Sequence, residues 1–209
     1  MARFPPPPPA AQLGRIRPIR HDLPADTLLW RVYFRGGAHP TTWNAFRAYG
    51  PTGARFDHHT RPPREQARAI YYAALSGRTC LAEVFQQTRV IDVTADAPAL
   101  AAFRLHRTVR LLDLRGLWPT RAGASLALST GSHPRARAWS RAIWSAYPEA
   151  DGLWYASAMD GGAPAIALYE RSMDAVPAVP ALSAALSEPG LRLMLARAAA
   201  ELNYLLVAP

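Results

Sequence analysis

The apolar residues of this chain come in short runs that follow one another too closely for a regular alternation of strand and helix. TLLWRVYF (27–34), AIYYAAL (69–75), RVIDVT (89–94), GLWYAS (152–157) and AIALYER (165–171) are rich in β-branched and aromatic side chains and read as strands. FRLHRTVRLLDLRG (103–116) reads as one or two more, with a turn around Arg107. Two segments have helical spacing instead. SGRTCLAEVFQQ (76–87) opens on Ser76 as N-cap and carries Leu81, Val84 and Phe85 on one side. HPRARAWSRAIWSAYP (133–148) sets Trp139, Ile143 and Trp144 on one face and arginines on the other. Strands follow strands as often as helices, which predicts α+β: a single domain with a mixed, mainly antiparallel β core flanked by helices. No Gly-x-Gly-x-x-Gly opens a helix after a strand, so a Rossmann dinucleotide site is not expected. No Walker-type loop, Cys-x-x-Cys, His-Glu-x-x-His or long repeat is present.

With 209 residues there is enough chain for one sizeable core and little for a second. FPPPPPAAQLGRIRPIR (4–20) is Pro-rich and carries no acid. Residues 1–24 are therefore expected to form an extended arm outside the fold. The folded domain is placed at residues 25–175. Residues 176–209 are read as two short helices, broken at Pro189-Gly190 and packed on the same domain. No apolar run approaches the roughly 18 residues of a membrane span, and no apolar stretch marks a secretory signal. Cys80 is the single cysteine, which suits a reducing compartment, so a cytoplasmic protein is expected. The net charge is +9 and all 24 basic residues are arginine. They are scattered from Arg3 to Arg197 with no compact basic and aromatic module, which speaks against direct binding of nucleic acid.

Several residues are candidates for chemistry. Strand alternation puts Trp30, Val32 and Phe34 on one face and Arg31 and Tyr33 on the other. Arg31 is then either a strand-edge residue facing water or an anchor for phosphate or ribose. Glu83 lies among apolar residues in the first turns of its helix, as a solvated acid or as a carboxylate facing a pocket. Tyr71 and Tyr72 point to opposite faces, one for the core and one free to stack on a flat ring. GARFDHH (53–59) gathers Arg55, His58 and His59 in one loop. No third ligand has the spacing for a metal, so ribose or phosphate suits the loop better. Ser157 ends a strand without a Gly-x-Ser-x-Gly elbow, as a turn former or a positioning hydroxyl.

Taken in order, LLWRV, GARF, IYYAAL…CLAEVF and DGLWYASAMDGGAPAIALYE resemble the landmarks of the RES-domain family over Leu28 to Arg171. The Arg, Glu and Ser that name the family would be Arg31, Glu83 and Ser157. Its Ile-Tyr-x-Ala pattern selects Tyr71. Where many members have an arginine three residues after the Phe of GARF, this chain has His59. The resemblance implies an ADP-ribosyltransferase-like fold and NAD as substrate, with no metal. Glu83, Tyr71 and Ser157 would be catalytic, and Arg31, His59, His58, Tyr33 and Arg55 would bind the dinucleotide. It also implies a toxin partnered by an Xre-like antitoxin, with DNA reached only through that partner. The acceptor of the ADP-ribose unit would be water or phosphate, or a protein side chain in a mono-ADP-ribosyltransferase. A basic binding module without activity is the reading of another class, and Glu83→Gln separates it from the enzymes.

Overall fold

The computed structural model describes residues 4–208. Its strands are β1 (Arg20–Leu23), β2 (Leu28–Phe34), β3 (Arg47–Gly50), β4 (Arg64–Ala74), β5 (Val90–Asp92), β6 (Pro98–Arg104), β7 (Val109–Asp113), β8 (Gly152–Ala156), β9 (Pro164–Tyr169), β10 (Leu182–Ala185) and β11 (Leu205–Val207). The helices are α1 (Ala10–Leu13), α2 (Gly77–Val84), α3 (Trp118–Arg121), α4 (Ala127–Thr130), α5 (His133–Ala146) and α6 (Arg192–Leu202). Nine strands form one sheet in the order β1-β7-β8-β9-β4-β2-β6-β10, with β3 paired to β4. In that sheet β7 and β8 run parallel and the other pairs antiparallel. β11 and β5 form a separate parallel pair. The fold is thus α+β, a mixed and mainly antiparallel sheet flanked by helices.

Alternation along the strands sorts the core into layers. On β8 and β9, Leu153, Tyr155, Ala165, Ala167 and Tyr169 pack under α5, while Trp154, Ile166 and Leu168 pack on the opposite face. Gly152 is required where these strands meet, because a Cβ there would stand 2.2 Å from the Ala167 carbonyl oxygen. The buried side of α5 is Ala136, Trp139, Ser140 and Ile143, an i, i+3, i+4, i+7 stripe. Ser76 caps α2 by accepting from the Thr79 amide at 3.1 Å.

The feature that makes a site is a split in the sheet. β2 pairs with β6 at seven positions and β4 with β9 at five, but β2 and β4 meet only at Trp30 and Ala74. Beyond that point they diverge, and β4 takes β3 as its neighbour instead. A cleft opens where the ladder is missing.

Both ends of the chain differ from expectation. The Pro-rich segment is not an arm outside the fold. Leu13 is fully buried, Phe4, Ile16 and Ile19 pack on the α5 cluster, and β1 extends the sheet beside β7. Prolines donate no N–H but still accept: the Trp139 indole donates to the Pro5 carbonyl at 2.9 Å. The Tyr147 hydroxyl bonds the Leu13 and Ile16 carbonyls at 2.7 and 2.9 Å. The tail is not two helices. Residues 182–185 form the edge strand β10, α6 follows a 3-10 turn at Pro189–Leu191, and β11 closes on β5. Two stretches punctuated by Gly or Pro, 35–53 and 60–68, carry β3 and the first half of β4.

Candidate active site

The cleft at the split has a volume of about 350 Å³. Arg31 and Val32 of β2 and Tyr72, Ala73 and Ala74 of β4 form its floor, α2 one wall, and Gly53-Ala54-Arg55 with His133 the facing wall. Tyr155 of β8, itself buried, also lines the cleft.

Glu83 projects from α2 into this space, half-buried. Its Oε1 accepts from the Ser157 hydroxyl at 2.5 Å. The Ser157 oxygen itself accepts from the amides of Met159 and Asp160 at 3.2 and 3.1 Å. A hydroxyl has one proton and two lone pairs, so both acceptor positions are filled and the proton is left for Glu83. The β8–β9 link that carries Ser157 is fastened to the same helix. Asp160 accepts from the Thr79 hydroxyl at 2.7 Å and pairs with Arg78 at 3.0 Å. Burial pushes the Glu83 carboxyl above its ordinary range, and the Ser157 hydrogen bond, Arg55 and His133 only partly offset this.

The facing wall is built by GARF. Phe56 is fully buried beneath α5; its amide donates to the Tyr72 hydroxyl at 3.1 Å and its carbonyl accepts from Ser140 at 2.7 Å. With Phe56 fixed, Arg55 turns into the cleft and donates to the Gly131 carbonyl at 2.5 Å. The Gly53 carbonyl bonds His133 Nδ1 at 2.7 Å. That bond makes Nδ1 the protonated nitrogen and leaves Nε2 as the free one.

Arg31 lies at the fork of the sheet. Its guanidinium sits 4.0 Å above the Tyr71 ring and reaches the carbonyls of Tyr72 and Ala45 at 3.4 and 3.3 Å. Its Nε has no hydrogen-bond partner among the described residues. Burial holds this guanidinium below its ordinary pKa.

The structure brings Arg31, Arg55, Glu83 and Ser157 to one place. Four other sequence candidates lie elsewhere. Tyr71 is fully buried against Phe46 and Phe103 and its hydroxyl donates to the Trp43 carbonyl at 2.9 Å. The tyrosine facing the cleft is Tyr72, one residue on and therefore on the other side of β4. Tyr33 is buried away from the cleft, hydrogen-bonded to Ser183 at 2.8 Å. His58 and His59 are fully buried behind the wall. His59 Nδ1 bonds Asp57, which also takes Thr52 N at 2.6 Å and Arg47 Nη2 at 3.0 Å. Burial opposes the ionised Asp57, but these donors outweigh it and hold the carboxyl well below its ordinary range. His58 Nε2 donates to Glu170 at 3.0 Å. Burial lowers the His58 pKa, so the imidazole is neutral, and its Nδ1 is a bare lone pair rather than an unsatisfied N–H. The two histidines thus pin the loop whose other end carries Arg55.

His133 and Tyr155 belong to the cleft and were not singled out from the sequence. His133 precedes Pro134 at the start of α5, where it looks like an ordinary helix-opening residue. Tyr155 looks like one more strand aromatic. Cys80 also lines the cleft, but burial pushes its thiol up to about 12 and it is no nucleophile.

A family model for the RES domain matches residues 28–188. That span includes β10, so the family unit runs past residue 175, where the folded domain was expected to end. Among solved structures, a chain in the crystal structure of the M. tuberculosis MbcT–MbcA toxin–antitoxin complex superposes with a TM-score of 0.57 at 18% identity. The match covers 89% of this chain and 96% of that one. At this identity the likeness is one of fold. No curated protein matches the chain. Among the described residues, no helix is long and apolar enough to cross a membrane.

Proposed function

The chain belongs to the RES-domain family, and from that membership we propose that it is the toxin of a toxin–antitoxin pair that cleaves the nicotinamide–ribose bond of NAD. One observation carries the chemistry. A single carboxylate, Glu83, is fixed by Ser157 in a half-enclosed cleft whose other walls carry two guanidinium groups and an imidazole. NAD combines a cationic ring, a ribose and a diphosphate, and this arrangement has a counterpart for each. Arg31 and Arg55 take the diphosphate oxygens. The Tyr72 ring offers a face to the nicotinamide in place of Tyr71. Glu83 stands against the ribose.

The bond that breaks is C1′–N. Its electron pair passes to the pyridinium nitrogen, so nicotinamide leaves neutral and needs no general acid. Positive charge develops on the ribose ring as an oxocarbenium-like state, and the Glu83 carboxylate stabilises it. An acceptor oxygen then bonds to C1′ and gives up its proton. That proton passes to His133 Nε2, the ring nitrogen left free by the Gly53 carbonyl on the cleft wall. Water gives ADP-ribose and phosphate gives its 1-phosphate.

The test is NMR of the purified protein with NAD, in buffers with and without phosphate. Nicotinamide should be released without a protein acceptor, and Glu83→Gln should lower the rate by about 10²–10³. Dependence on phosphate separates phosphorolysis from hydrolysis. Label from ADP-ribose appearing on lysate proteins, without free turnover, would assign the chain to transfer instead. An Xre-like antitoxin partner is tested by coexpression: the neighbouring open reading frame should restore growth and copurify.

A further inference from the structure

A second concavity, about 590 Å³, lies on the other side of the wall that carries Arg55. Thr52 and Pro51 line it where Gly53 and Arg55 line the first, and Pro134 lines it where His133 lines the first. Its charged residues are Arg61, Arg137 and Arg141. Pro134, Arg137 and Arg141 stand at i, i+3 and i+7, one face of α5 opposite its buried stripe. The Arg61-Pro62 segment supplies the third arginine.

These arginines repel one another, and Asp57 alone offsets part of that repulsion at Arg141. None of the three donates a side-chain hydrogen bond or forms an ion pair among the described residues, whereas Arg20, Arg47, Arg78 and Arg107 all meet carboxylates. The nearby acid Asp57 is fully buried and committed to Thr52, Arg47 and His59. Burial lowers the Arg141 pKa, Arg137, Arg61 and Arg68 lower it further by repulsion, and Asp57 offsets only part of this. Like charges at i, i+4 on a half-buried helix face destabilise the free protein. They are relieved by an anion of more than one charge, which a set of planar guanidinium forks is built to grip. Apart from Thr52 the rest of the groove is proline: Pro51, Pro62, Pro63 and Pro134 present rigid apolar faces without N–H donors. A long nucleic-acid strand needs cations spaced along an open track. Here the cations line one concavity, which suits a compact ligand.

We propose that this groove is a second ligand site, distinct from the cleft, for a small polyphosphate of the nucleotide class. Its phosphates take the forks of Arg137, Arg141 and Arg61, and its flat ring lies on the proline faces.

Equilibrium binding by calorimetry tests this, with pyrophosphate, ATP, adenosine and a single-stranded oligonucleotide as probes. The proteins are the full chain, Arg137→Gln/Arg141→Gln, and Arg55→Gln. ATP should bind more tightly than pyrophosphate, and adenosine should not bind measurably. The double variant should weaken ATP binding by about 30-fold, as loss of two charged forks implies, while Arg55→Gln leaves it within about threefold, since that side chain serves the other cleft. The double variant should also melt no lower than wild type, because it removes repulsion and, among the described residues, breaks no side-chain hydrogen bond or ion pair. Weakening by Arg55→Gln alone would put the polyphosphate in the cleft and overturn the proposal. Tighter binding of the oligonucleotide than of ATP would overturn it in favour of nucleic acid. No binding of pyrophosphate or ATP at millimolar concentration would leave the groove without the assigned ligand.

Discussion

Removing the Ser157 hydroxyl isolates what holds the reactive carboxylate. Both lone pairs of the oxygen are taken by the Met159 and Asp160 amides, so its proton is aimed at Glu83 Oε1. A hydrogen bond to a charged acceptor is worth about 1.5–3 kcal/mol. In Ser157→Ala that stabilisation of the ionised form is lost, so the Glu83 carboxyl, already raised by burial, rises further. The sign follows from the chemistry: the carboxylate is the active form, so activity is present above the folded pKa and is lost as pH falls through it. The acid limb of kcat/KM for nicotinamide release should therefore move to higher pH, and the rate at neutral pH should fall about 10–100-fold. Ser157→Thr keeps the hydroxyl and should restore most of both. Two amides are also orphaned by the alanine, at about 1–3 kcal/mol each if they stay dry, and a thermal melt will register that. A purely structural loss scales the whole pH profile down without shifting it. An alanine variant whose acid limb coincides with that of wild type would refute the role assigned to Ser157.

The tyrosine pair gives a paired test. Tyr72→Phe orphans the buried Phe56 amide and should loosen the Arg55 wall, raising KM for NAD several-fold, whereas Tyr71→Phe removes the bond to the Trp43 carbonyl, keeps the ring under Arg31 and should cost about 1 kcal/mol of stability with turnover retained; the reverse pattern in steady-state kinetics would return the site to Tyr71. Stability should fall on acidification. The folded His58 pKa lies below its ordinary 6.5, so the unfolded chain binds more protons and the native state loses stability as pH falls from about 6.5 through the folded value. Glu170, held at about 2 against 4.5 by His58 despite the opposing effect of burial, adds a further loss between those values. His58→Gln should flatten the first of these slopes in urea titrations across that range. Leu13→Ala should cost about 2–5 kcal/mol in the same titrations, because Leu13 is fully buried against α5; a change within error would mean the Pro-rich segment is not part of the core.

What could be read from the sequence is what local periodicity decides. The N-cap at Ser76 and the apolar stripe of α5 are properties of a few neighbouring residues and are found where their patterns put them, and along β2 Trp30 and Val32 fall in one cluster and Tyr33 in another. The polar start of β4 is different. Glu65 and Arg64 have no strand pattern, and they are held extended because Tyr49 and Gly50 stand opposite. The same holds at the ends. Prolines 5–9 suit an extended arm, but Leu13, Ile16 and Ile19 beyond them find a place on the α5 cluster, and the Pro5 carbonyl accepts although the prolines cannot donate. Residues 182–185 become a strand because β6 has a free edge there.

The site divides along the same line. Arg31, Arg55, Glu83 and Ser157 were legible as members of ordered landmarks, and the fold draws them together from four separate elements. Orientation was not legible. Tyr71 and Tyr72 are equivalent to any local rule, and the choice between them depends on which side of β4 the sheet splits. His58 and His59 drew notice as ionisable residues in a loop, but their partners decide their use. Glu170 stands 112 residues away from His58, and Asp57 spends its oxygens on the loop itself. Gly50 shows how tightly that use is fixed, since a Cβ there would stand 2.5 Å from the His59 ring. A charged loop beside a cleft therefore has two faces. Its arginine meets the ligand because its aspartate and histidines, facing inward, hold it there.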